Sequence, residues 1–111
     1  MPPTLLITMA DSLSFQRYET VAAGQTAQVL GTNGAQGDRI LRLIIIPATV
    51  AGGVVTLLDG TTSISIYVGG ATTPLLEVKP ITVELGMVSQ TGPWKVTTGA
   101  NITVVAVGDF T

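Results

Sequence analysis

The side chains best suited to chemistry here are seven carboxylates, Asp11, Glu19, Asp38, Asp59, Glu77, Glu84 and Asp109, because the 111 residues include no histidine and no cysteine. Without those two, the sequence offers no imidazole proton shuttle, no thiol nucleophile, no disulfide and no ordinary zinc site. A pair of carboxyl groups about a water apart would suit glycoside hydrolysis, with Asp59 beside Glu77 or Glu84 as the pairs to test. Nothing in their spacing brings two of them together. They read instead as a turn aspartate and two glutamates on strand surfaces. We therefore expect no catalytic residue, no cofactor and no metal.

Two other patterns call for weighing. Gly31, Gly34 and Gly37 punctuate the stretch GTNGAQGD like a phosphate-cradling loop, but the Lys and Ser/Thr of a P-loop are missing and no helical pattern follows. An inter-strand loop is the plainer reading. Carbohydrate binding would call for an aromatic platform, and the chain has one Trp, two Tyr and two Phe. Trp94 follows Gly92-Pro93 at the start of a strand, where it either plugs the core or anchors in a partner. Tyr18 and Tyr67 fall on the faces opposite their strands' apolar residues, so each belongs to the surface or to a contact. Asn101-Ile102-Thr103 matches a glycosylation acceptor, but nothing suggests secretion.

These side chains must be positioned by a chain that is 46% hydrophobic, only 11% charged and of net charge −2. The solvated face must then be built from Thr, Ser, Gly, Asn and Gln. Arg39 and Arg42 are the nearest approach to a basic patch, and in an extended segment their spacing points them to opposite faces. No nucleic-acid partner is expected. The apolar run Leu5 to Ala10 has no basic residue ahead of it, unlike a signal peptide. Leu43 to Ala48 is far too short to span a membrane. We expect a soluble protein made in the cytoplasm, with no membrane partner.

Val, Ile and Thr dominate, and their stiff side chains suit a pleated surface. Turn signals recur at 31–38, 47–53, 59–62, 69–74, 89–93 and 98–101, a spacing typical of a sandwich or barrel. Ser63 to Val68 alternates cleanly, with Ile64, Ile66 and Val68 on one face and Ser63, Ser65 and Tyr67 on the other. Asp59-Gly60 joins it to the run Val54 to Leu58 as a tight hairpin, since both turn residues tolerate positive φ. From Leu13 to Ala23, Arg17 and Glu19 interrupt the apolar alternation of Leu13, Phe15 and Val21, as at a bend or in an edge strand. Ile40 to Ile46 is apolar on both faces apart from Arg42, and reads as a central strand covered on both sides and ended by Pro47.

Leu76 with Val78, and then Ile81 to Met87, alternate on either side of Pro80, where a strand would bend or change sheets. Trp94 to Thr98 and Ile102 to Val107 read as a last hairpin around TGAN, with Gly108 to Thr111 as a tail. The expected fold is all-β, a two-sheet sandwich of jelly-roll-like or Greek-key type with about eight strands, because a plain meander would not need such long Gly-rich connections. One domain over residues 13–111 would follow an extended N-terminal arm over residues 1–12. That arm, with Leu5, Leu6 and Ile7, has no obvious partner strand within the chain, and the readings open to it are pairing in its own sheet, addition to a neighbouring subunit, or fraying. Sparse charge on a β protein leaves edges to be covered, so a homodimer or homotrimer is expected.

The stretch GDRILRLIIIPATVAGGVVTLLDGTTSISIYVGG, continuing through PITVELGM and GPWKVTTGANITVVAVGDF, resembles small structural proteins encoded beside the major capsid gene of tailed bacteriophages. The resemblance spans residues 20–111. Head decoration, or cement, proteins of that kind are similarly small, poor in His and Cys, and of β-sandwich or jelly-roll character. The resemblance implies a virion protein on the outer surface of the capsid that staples neighbouring major capsid subunits as a dimer or trimer. Contacts would fall on Leu5, Leu6, Ile7, Tyr18, Tyr67, Trp94 and Phe110. The rival expectations are a tail- or fibre-associated virion protein that reads glycans, and a small glycan hydrolase.

Overall fold

A computed structural model describes residues 17–49, 53–68 and 79–111 of the chain. The expected arm over 1–12, residues 13–16 and the half-strand with Leu76 and Val78 lie outside the described residues. Among those described there is no helix, and eight strands form: β1 Arg17–Val21, β2 Gln28–Val29, β3 Arg39–Pro47, β4 Val55–Asp59, β5 Thr62–Tyr67, β6 Ile81–Val88, β7 Trp94–Thr98 and β8 Ile102–Asp109. They build two four-stranded sheets, ordered β1-β8-β3-β6 and β2-β7-β4-β5. Every pairing is antiparallel.

The order has a simple logic. β4 pairs with β5, β3 with β6, β2 with β7 and β1 with β8, so the chain is one long nested hairpin folded across two sheets. That is the jelly-roll arrangement. Contacts of β8 with β3 and of β7 with β4 close each sheet. The facing sides bury Val21, Ile40, Leu43, Ile45, Val55, Leu57, Val96, Ile102 and Val104 completely. Each such aliphatic side chain contributes roughly 1.5–3 kcal/mol on leaving water.

Several local expectations change in the folded chain. Because β7 and β8 belong to different sheets, residues 98–101 form a crossover instead of a hairpin, with Asn101 at φ +60°. The β4–β5 hairpin is real, but Asp59 pairs with Thr62, so the turn residues are Gly60 and Thr61. Only Gly60 has positive φ, at +61°, which fits a type II′ turn. Nor are 108–111 a loose tail: β8 runs to Asp109, Phe110 is buried, and the Thr111 N–H donates to Asp38 Oδ2 at 3.1 Å.

Two bulges account for two further differences. In β5, Thr56 opposes Ser65 and Val55 opposes Tyr67, so Ile66 is an extra residue. An inserted residue reverses the alternation beyond it. Tyr67 therefore joins the face of Ile64 and packs on the core, while Val68 is 71% exposed. In β3, Ile40 opposes Gly108 and Arg42 opposes Val107, leaving Leu41 as the extra residue. Ile40 points inward, so Arg39 and Arg42 share the outer face instead of pointing apart. β3 is central, as expected, but the sandwich covers only one of its faces: Ile44 is half-buried and Ile46 is exposed.

Candidate functional site

Three of the seven carboxylates, Asp59, Asp38 and Glu19, hold loops of the fold together. Asp59 ends β4 with its side chain turned toward residues 89–92, where it accepts the N–H groups of Gln90 at 2.9 Å and Thr91 at 3.1 Å. Thr91 Oγ1 donates back to the Asp59 carbonyl at 2.6 Å. A Cβ on Gly60 would sit 2.7 Å from that hydroxyl and 3.1 Å from the Gly92 nitrogen, so the turn and the loop approach as closely as two glycines allow. Desolvation raises the Asp59 pKa, but donation from Gln90, Thr91 and Gly92 outweighs it and leaves the carboxyl below its ordinary value.

Asp38 plays the same part at the other clamp. Its carboxylate accepts the N–H groups of Ala35 and Thr111 and the Thr111 hydroxyl. Glu19 takes the N–H of Gly31 at 2.7 Å and the side-chain amide of Gln28 at 3.0 Å. Glu84 lies on the outer face of β6, paired with Arg42 at 3.0 Å, whereas Asp59 is buried in the other sheet. The structure therefore does not bring Asp59 and Glu84 together, and Glu77 and Asp11 lie outside the described residues. Among the described residues no group of three or more carboxylates converges to hold a metal.

The Gly31–Asp38 loop is closed on itself in the same way. Its Gly31, Asn33, Ala35, Gly37 and Asp38 N–H groups reach Glu19, Thr111, Asp38, Ser89 and Ala35 respectively. These donors are already engaged by acceptors of the chain itself. A cleft of about 520 Å³ opens between β5 and β6, lined by Thr62 and Ile64 on one side and Met87 and Val88 on the other. Its nearest carboxylate, Asp59, is already engaged.

The aromatic residues expected at an interface divide in the folded chain. Trp94 is 2% exposed and Phe110 3%, so both fill the core and offer no surface to a partner. Tyr67 is drawn inward by the β5 bulge. Tyr18 stands out from edge strand β1 with 74% of its surface exposed. Leu5, Leu6 and Ile7 fall outside the described residues.

The two outer sheet faces differ in chemistry. On the β2-β7-β4-β5 sheet the cross-strand rows read Thr97, Thr56, Ser65 and Val29, Lys95, Leu58, Ser63, a surface of hydroxyls with one cation and two aliphatic side chains. On the β1-β8-β3-β6 sheet they read Tyr18, Val107, Arg42, Glu84, then Thr20, Val105, Ile44, Thr82, then Thr103, Ile46. Tyr18, Val107, Val105, Ile44 and Ile46 thus form a contiguous apolar patch with an ion pair at its border. An antiparallel sheet usually turns polar residues to the solvent on its open face, and a contiguous apolar patch marks an interaction site. Sequence reading missed it because the patch joins three strands distant in the chain. The one available signal was the run LIII, apolar at both parities.

No family model matches the chain, and no curated protein or solved structure matches it.

Proposed function

We propose that this chain is a decoration protein of a tailed-bacteriophage head, a virion protein that acts by binding alone and staples neighbouring major capsid subunits from outside the shell. The observation that carries the proposal is the hydroxyl-rich outer face of the β2-β7-β4-β5 sheet, with Lys95 as the one charge in its cross-strand rows, on a jelly roll whose interior carboxylates are engaged in holding its own loops. Such a surface suits many modest contacts repeated over a lattice, where multivalency converts weak individual binding into firm attachment. Jelly rolls serve as both capsid and lectin domains, so the fold accommodates this role without specifying it. The apolar N-terminal stretch Leu5 to Ala10 fits strand addition to an adjacent subunit.

Quantitative mass spectrometry of purified virions tests the proposal through the copy number of this chain relative to the major capsid protein. A simple stoichiometric ratio is expected for a protein spread over the head. A few copies per particle would instead favour a tail- or fibre-associated protein, and absence from virions would overturn the proposal.

A further inference from the structure

We propose that the outer face of the β1-β8-β3-β6 sheet is a self-association surface on which a second copy of this chain packs face to face about a two-fold axis. Three observations favour a second copy over another occupant. The first is electrostatic. The charged residues on this face, Arg39, Arg42, Glu84 and Asp109, balance two against two, with Arg42 paired to Glu84 and Arg39 directly opposite Asp109 in the register. The face does not repel a copy of itself, and it offers no net charge for a strongly charged partner to recognise.

The second is area. Four strands about 4.8 Å apart and five to nine residues long, at about 3.3 Å per residue, present roughly 500 Å² of sheet face per copy, or about 1,000 Å² for two. Side-chain relief adds to that, and about 1,000 Å² is where specific interfaces begin. Sheets of this kind pack about 10 Å apart with the β-branched side chains interdigitated, and Ile44, Ile46, Val105 and Val107 are of a size to fill that gap. The third is asymmetry. The opposite sheet presents Thr56, Ser63, Ser65 and Thr97 around Val29, Leu58 and Lys95, so among the described residues the β1-β8-β3-β6 sheet has the more apolar outer face. One self-complementary face closes as a dimer, whereas two would propagate a filament.

The dimer is independent of any capsid, and its test uses the purified full-length chain. Sedimentation equilibrium over a wide concentration range is expected to show a dimer. Val105→Lys and Ile44→Lys, each placing a charge in the centre of the patch, should give monomers, with circular dichroism and melting curves reporting whether the sandwich is retained. Tyr18→Ser lies on the exposed edge, leaves the core untouched, and should weaken the dimer by about tenfold or more, about 1.4 kcal/mol. Thr56→Lys on the other sheet should leave it intact. A monomeric wild type, a trimer, or a dimer broken by Thr56→Lys and indifferent to Tyr18→Ser would each overturn the proposal.

Discussion

The indole N–H of Trp94 donates to the backbone carbonyl of Asp38 at 2.8 Å, and the Ser89 N–H meets the same oxygen, also at 2.8 Å. One buried peptide group thus joins the start of β7, the end of β6 and the loop before β3. The Asp38 carboxylate adds the last residue of the chain through Thr111. Connections that are far apart in sequence meet at this end of the sandwich, which is why the long Gly-rich loop is ordered.

Trp94 is the sole tryptophan, so its fluorescence reports this junction. We expect a blue-shifted emission in the native protein that is shielded from iodide and moves to the red on unfolding. Trp94→Phe leaves the Asp38 carbonyl still bonded to Ser89 but opens a gap, costing about 1–3 kcal/mol in urea denaturation.

Phe110 is buried although it is the penultimate residue. Phe110→Ala should destabilise the fold by about 3 kcal/mol or more, as for other buried aromatics. A cost below ~0.5 kcal/mol in the same denaturation measurement would return these residues to the status of a tail.

Asp59 has a folded pKa below its ordinary value of 3.8. A depressed carboxylate stabilises the fold fully above the unfolded value, and that contribution is lost as pH falls through the lower folded value. Stability measured by urea titration should therefore fall as the pH is lowered below about 4. In Asp59→Asn the fall should be shallower by up to one proton.

The two tyrosines should respond oppositely to truncation. Tyr67→Ala removes a ring packed on the core and is expected to cost about 2–3 kcal/mol of stability. Tyr18→Ala, at an exposed edge, should change the unfolding free energy of the dissociated monomer by less than ~0.5 kcal/mol, measured at concentrations where no dimer is populated. Thermal melts of both variants check the contrast.

Much of the fold was legible because it rests on local physics. β-branched composition, period-two alternation and turn residues mark the strands, and the alternation of Ile81 to Val88 survives in β6 as alternately half-buried and exposed residues. The Asp59-Gly60 hairpin was readable within one residue. The alternation of β5 was readable only as far as Ser65, because a bulge is one unpaired residue and leaves no mark in composition. The inward turn of Tyr67 and the common face of Arg39 and Arg42 both follow from such insertions.

By itself, then, the sequence determined an all-β chain of short strands with few charges and none of the chemistry that histidine or cysteine would bring. Only the tertiary structure decided that Trp94 to Thr98 and Ile102 to Asp109 lie in different sheets, that Asp38, Asp59 and Glu19 are consumed by distant backbone N–H groups, and that Tyr18, Ile44 and Val105 share one face. The physical reason is range. Strand propensity and turn chemistry act over a few residues, whereas pairing order and carboxylate partners come from contacts between residues tens of positions apart, which are settled by burying a common core.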